Sequence, residues 1–100
     1  MGNSVINFTL RIGARIAAIE VKYKVPTDGA ALSRLVNQIT NMVQWGQGQV
    51  VVWSYKEATL SEISAVTEAI GANASKVQFV SGVEGLYRWI ELYFQTTGGG

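Results

Sequence analysis

Residues 50–53, Val-Val-Val-Trp, form a continuous β-branched and aromatic run that indicates the fold class of this chain. Such a run is typical of a strand that is covered on both faces within a parallel sheet. Parallel neighbours are joined by crossover connections, which are usually helices. We therefore expect a central strand at 50–53, with helical segments before and after it.

The segment before this strand predicts a hairpin and a helix. Apolar residues alternate with polar ones from Ile6 to Ile12, Gly13-Ala14 suits a two-residue turn, and a second alternation runs on to Val25. These strands should pair antiparallel. Thr27 or Asp28 can then cap a helix that ends at Gly46. The apolar residues at helical spacing are Leu32, Leu35, Val36, Ile39, Met42 and Val43.

The segment after the central strand predicts a second crossover and a closing helix. Thr59 and Glu62 have the spacing of a capping box, and Gly71 is placed to end that helix. Residues 77–80 form a short fourth strand, and Ser81 and Glu84 repeat the capping-box spacing. The order β-β-α-β-α-β-α predicts an α/β domain over residues 1–95, with helices packed on a mixed sheet. Residues 96–100 are expected to form a flexible Gly-rich tail.

Composition excludes several kinds of chemistry. The 100 residues contain no Cys and no His, which removes disulfides, thiol nucleophiles and imidazole acid–base catalysis. Eight basic residues against seven acidic ones leave a net charge of +1. Any nucleic-acid contact must therefore be local, and five of the basic residues but only two of the acidic ones lie in residues 1–34. The hairpin and first helix, with Arg11 and Arg34, are the expected surface.

One pair of residues has a spacing that could support catalysis. The two-residue period of a strand puts Glu20 and Lys22 on the same face. If Ile12 pairs with Arg15 around the turn, Asn7 lies opposite Glu20 and joins this cluster. The polar side of the first helix adds Arg34, Gln38 and neighbouring amides. The alternative interpretation is a solvated ion pair of little energetic weight.

This arrangement resembles the core of the PD-(D/E)xK nuclease superfamily. The runs IEVKYKV, LSRLVNQI and QVVVWS, within about residues 4 to 55, carry the resemblance. It implies that Glu20 and Lys22 take the motif positions, with Glu20 as a Mg²⁺ ligand and Lys22 stabilising charge, and that Gln38 matches the helix Gln of some members. The sequence departs from the pattern because no Asp precedes residue 28 and because Met42 stands where one subset has Tyr.

Three functions follow from these features. We expect a small oligomeric binding or assembly module, catalytically inactive and without a cofactor, that contacts nucleic acid through Asn7, Arg11, Arg34 and Gln38. The second is an Mg²⁺-dependent nuclease using Glu20 and Lys22, and the third is a purely structural self-association protein. The apolar closing helix predicts a homo-oligomer interface. Its residues are Tyr87, Trp89, Tyr93 and Phe94.

The targeting features of the sequence predict an intracellular protein. No uninterrupted apolar run approaches the roughly 20 residues that a membrane helix needs. Residues 1–10 lack both the basic start and the small-residue cleavage site of a secretory signal. We therefore expect a cytoplasmic protein that has no membrane partner.

Overall fold

A computed structural model describes residues 6–12, 15–45 and 49–98 of the chain. Its elements follow the order that the sequence predicts. The strands are β1 (Ile6–Ile12), β2 (Arg15–Lys22), β3 (Gln49–Ser54) and β4 (Val77–Ser81). The helices are α1 (Gly29–Trp45), α2 (Leu60–Ile70) and α3 (Gly82–Gly98), with a 3₁₀ segment at Gly71–Lys76.

The four strands form one mixed sheet in the order β1-β2-β3-β4. β1 and β2 are antiparallel, and Ile12 pairs with Arg15 and Asn7 with Glu20, which confirms the predicted hairpin register. β2, β3 and β4 run parallel. The central position of β3 is confirmed as well, since Val50, Val51 and Val52 are all buried. The fold class is therefore the α/β class that the sequence predicts.

The two faces of the sheet bury separate hydrophobic clusters. On one face, Ile19, Val51 and Trp89 pack with the apolar side of α3. On the other, Leu35 and Ile39 of α1 and Val66 of α2 pack with alternate residues of β3. Because strand side chains alternate between faces, successive side chains of an interior strand such as β2 point in turn toward α3 and toward α1 and α2. Over the part of the chain described here, no helix combines the length and the apolar character that a membrane crossing requires.

The capping box of α2 is present as the sequence predicts. The Thr59 hydroxyl accepts a hydrogen bond from the Glu62 amide at 3.1 Å, and the Glu62 carboxylate accepts one from the Thr59 amide at 2.9 Å. Gly71 ends the helix with a φ of 75°, a conformation that residues with a side chain rarely adopt. The helix is thus bounded at both ends by local chemistry.

The prediction of a second capping box at Ser81 and Glu84 is wrong. The Ser81 hydroxyl accepts a hydrogen bond from the Ala58 amide at 3.1 Å and lies 3.1 Å from the Ser54 hydroxyl. The Ser81 hydroxyl thus forms hydrogen bonds with residues of other segments, although the local spacing predicts that it caps α3.

The strand and helix ends also differ from the predicted ones. β2 ends at Lys22, although the alternation continues to Val25, and Val25 packs with Leu35 on the side of α1. α3 runs to Gly98, past the predicted domain boundary at residue 95. The predicted turn at Gly13-Ala14, the helix stop at Gly46 and the last two glycines of the predicted tail lie outside the described residues.

Candidate functional site

Glu20 and Lys22 lie on an interior strand, on the face that α1 and α2 cover. Their neighbours Ala17, Ile19 and Val21 belong to the cluster beneath α3, so alternation turns Glu20 and Lys22 to the opposite side. Glu20 is 0% exposed, and the side chain of Lys22 is 19% exposed. The Lys22 Nζ lies 3.6 Å from the Glu20 Oε2. Glu20 is therefore buried and Lys22 partly exposed, so the pair is not the fully solvated surface pair of the alternative interpretation.

Burial changes what this pair does for the protein. Moving a carboxylate and an ammonium out of water costs several kcal/mol for each ion, and their attraction offsets this cost only at close range. Removing one partner of such a pair leaves a buried charge and destabilises a fold by about 3–5 kcal/mol. Lys22 thus lies where it can balance the charge of Glu20, near the carboxyl end of an interior strand.

The residues described here do not fit a divalent cation well. Mg²⁺ is usually held by one or two carboxylates together with waters and substrate phosphate, at near-ideal octahedral geometry. Within the described ranges, no three Asp, Glu, His or Cys side chains form a cluster that could hold a metal ion. Glu20 is the acidic residue of β2, and Lys22 already lies beside it. We therefore assign no chemical step to a metal here.

The predicted binding residues fall into three situations. Arg11 and Arg34 are exposed. Asn7 lies opposite Glu20, and Arg11, four residues further along β1, is on the same side of the sheet as Asn7. Arg11 therefore shares the sheet face of Glu20. Gln38 is half-buried, and its Oε1 is buried with no hydrogen-bond partner among the described residues. The side chain of Asn7 lies outside the described part of the chain. The structure thus leaves accessible Arg11, opposite the start of β2, and Arg34, near the start of α1, and we call these two residues together the basic face.

The predicted oligomer residues are also divided by the structure. Trp89 is buried in the cluster beneath α3, and its indole Nε1 donates to the Gln78 carboxamide at 3.2 Å. The Tyr93 hydroxyl donates to the Ile16 carbonyl at 3.2 Å. Tyr87 is 67% exposed, and the side chain of Phe94 is outside the described part. The oligomer stays a prediction, with Tyr87 as its accessible member.

The structure brings together a group of residues at the carboxyl ends of β2 and β3 that the sequence analysis did not assemble. Tyr23 and Tyr55 follow these strands directly, and their rings stack with centroids 5.7 Å apart at an interplanar angle of 18°. The Lys56 Nζ lies 5.9 Å from the centroid of the Tyr23 ring. We call Tyr23, Tyr55 and Lys56 the tyrosine edge. The predicted parallel arrangement of the strands was the signal that could have indicated this group, because the carboxyl ends of parallel strands meet at one edge.

A depression of about 480 Å³ adjoins the tyrosine edge. Its walls come from the segment after β3 and from the first turn of α3. Ser81 ties these two segments together through the Ala58 amide, and the Trp53 indole donates to the Gly82 carbonyl at 2.7 Å. The lining residues are Tyr55, Glu57, Ser81, Gly82, Val83, Glu84 and Gly85.

Comparisons with models of known protein families, with curated proteins and with solved structures find no significant match to this chain. The class of protein is accordingly defined by its fold. It is a small α/β domain with a mixed four-stranded sheet, and an interior strand carries a buried glutamate that forms an ion pair with a lysine.

Proposed function

We propose that this chain is a small binding module without catalytic activity, which contacts nucleic acid through the basic face. The observation that carries the proposal is the contrast between a buried, paired glutamate and two exposed arginines. Glu20 is fully buried beside Lys22, whereas Arg11 and Arg34 are exposed. In the described part of the chain, neither arginine has an acidic side chain within salt-bridge distance. Both guanidinium groups are thus available to phosphate.

The resemblance to the nuclease superfamily supports the same proposal, because members of that superfamily act on the phosphates of nucleic acids. Arginine is suited to this contact, since its planar donors bind two phosphate oxygens at once. Phosphate contacts position a protein without reading base sequence. We therefore expect binding that is weakly selective for sequence and strongly dependent on salt.

Fluorescence anisotropy with labelled single-stranded and duplex oligonucleotides tests this proposal. The Arg11→Gln, Arg34→Gln double variant should bind more weakly, and the slope of log affinity against log salt should fall by about 1.5, as expected for the loss of two phosphate contacts. The matched control is Lys76→Gln with Arg88→Gln, which removes two exposed cations from other elements. Equal losses in both double variants, or no binding at about 50 mM salt, would contradict the proposal.

The Mg²⁺-dependent nuclease is the second candidate, because the Glu20–Lys22 pair keeps the spacing of the motif that it resembles. Calorimetric titration with Mg²⁺ and Mn²⁺ separates the two candidates. We expect no binding, since a buried carboxylate next to an ammonium is a poor cation ligand. Metal binding by the natural chain that disappears in Glu20→Gln, together with Mg²⁺-dependent cleavage, would replace the binding module with the nuclease.

A further inference from the structure

The tyrosine edge exposes aromatic surface that the fold does not use. Tyr23 is 66% exposed and Tyr55 is 57% exposed, although both stand next to buried strands. Their mutual stacking lies within the geometry of favourable aromatic pairs, so the rings are ordered while much of their surface faces outwards. Ordered and exposed aromatic side chains commonly mark an interaction site.

The backbone beneath these rings is held firmly. Backbone hydrogen bonds join the two segments beyond the strand ends, where the Tyr55 amide donates to the Lys22 carbonyl at 3.0 Å. The Lys56 amide donates in turn to the Tyr23 carbonyl at 2.9 Å. Trp53 contacts Tyr55 edge-on, with ring centroids 6.5 Å apart. The rings are thus preorganised, which lowers the conformational entropy that the protein loses when a ligand binds.

Charge at this edge favours a ligand that combines flat rings with anionic groups. Lys56 is exposed, and its ammonium is held near the Tyr23 ring, so it can meet an anion beside a stacked ring. Lys24 adds a second cation, which lies 3.7 Å from Glu62 and is largely exposed. Glu57 and Glu84 line the neighbouring depression and repel phosphate, which directs a phosphate backbone to the Lys56 side.

The tyrosine edge also lies near the start of α1. Because α1 follows β2 after a connection of six residues, its first turn lies toward the carboxyl edge of the sheet. Arg34 is five residues into this helix, about 7.5 Å along its axis. Arg34 and the tyrosines therefore both lie toward the carboxyl edge of the sheet, on different elements.

From these observations we infer that the tyrosine edge is a stacking platform for the bases of single-stranded nucleic acid, with Lys56 contacting the adjacent phosphate. This inference rests on the proposed function and adds the strandedness of the ligand. A base can stack on an aromatic ring only when its own face is free, as it is in a single strand but not inside a duplex. The platform therefore favours single strands over duplexes, and it tolerates different bases because every base has an aromatic face.

Anisotropy with a labelled single strand of about 16 nucleotides, and with the matching duplex, tests the platform. Tyr23→Ala with Tyr55→Ala should weaken single-strand binding roughly 5- to 150-fold, the effect of losing one stacked base. Duplex affinity should not change. The Phe substitutions at the same two positions should keep single-strand affinity, and Leu60→Ala, which removes an exposed apolar side chain without a ring, should have no effect. Circular dichroism establishes that each variant is folded.

The outcomes separate this inference from the proposed function. If the Ala variants keep single-strand affinity while the basic-face variant loses it, the platform is wrong and the proposed function stands. Equal losses for single strands and duplexes would also overturn the stacking role. If the Ala variants change the mass of the protein in solution but not its affinity for single strands, the rings form a protein contact and the inference falls. No binding by the natural chain would overturn both.

Discussion

At the scale of single residues, Glu20 has the largest consequence for this protein. A carboxylate that is 0% exposed is costly unless its charge is compensated, and Lys22 provides compensation at 3.6 Å. The pattern Glu-x-Lys is the same on a solvated strand and on a buried one, so its meaning depends on what covers the strand. Here α1 covers it, which makes the pair part of the core of the domain.

A double-mutant cycle on this pair tests its structural role. Lys22→Met should destabilise the protein by about 3 kcal/mol, because the Glu20 charge loses its cationic neighbour inside the fold. The double variant with Glu20→Gln should be more stable than the sum of the single losses predicts, by at least about 1 kcal/mol. Urea unfolding measures each free energy of unfolding.

The matched control for this cycle is Lys24→Met. Lys24 also pairs with a glutamate, at 3.7 Å from Glu62, but its side chain is largely exposed. Exposed pairs contribute about 0–1 kcal/mol, so the change should stay below that limit. A loss for Lys22→Met no larger than the loss for Lys24→Met would show that the buried pair does not stabilise the fold.

At the scale of elements, α2 and α3 show how the same local pattern can have two outcomes. Thr59 and Ser81 each precede a glutamate by three residues. Thr59 is exposed and free to cap α2, whereas the Ser81 hydroxyl is taken by Ala58 and Ser54 on neighbouring segments. A capping pattern therefore predicts a cap where no tertiary partner competes for the hydroxyl.

Substitution of the α2 cap gives a prediction at this scale. Thr59→Ala should lower the free energy of unfolding by about 1 kcal/mol, because the Glu62 amide loses its acceptor at the helix start. Thermal unfolding followed by circular dichroism measures the change. The control is Thr67→Ala inside the same helix, where the hydroxyl donates to the Ile63 carbonyl and Ala is the better helix former. A larger loss at Thr67 than at Thr59 would show that the box does not stabilise α2.

At the scale of the whole molecule, α3 packs its large aromatic residues against its own sheet. Trp89 and Tyr93 stack with centroids 5.1 Å apart, and both donate hydrogen bonds within the chain. The apolar character that made this helix a predicted subunit interface is thus partly used for folding. Exposed apolar side chains remain along its outer side. They are Val83, Tyr87 and Leu92.

The predicted self-association belongs to this scale. Light scattering at micromolar concentration should give a mass above the 10.8 kDa of one chain. Tyr87→Ser should lower the mass towards 10.8 kDa, because it removes an exposed ring from the helix face that remains. Tyr23→Ser, at an exposed tyrosine outside α3, should leave the mass unchanged. A natural chain that is already monomeric would refute the homo-oligomer.

The sequence by itself determined the elements and much of their pairing. Strand alternation, the two-residue spacing of the hairpin and the continuous apolar run of β3 each depend on a few neighbouring residues, and they predict the observed hairpin register and the mixed sheet. The α2 boundaries at Thr59 and Gly71 are local in the same way. Such features can be predicted from the sequence because residues close together along the chain determine them.

The tertiary structure alone decided which of these residues are accessible. Glu20 is buried because β2 is an interior strand under α1, and Tyr23 and Tyr55 meet because β2 and β3 end at the same edge. Trp89 is buried because α3 returns onto the sheet. Each outcome depends on contacts between residues far apart in sequence, and local hydrophobic periodicity carries no information about them.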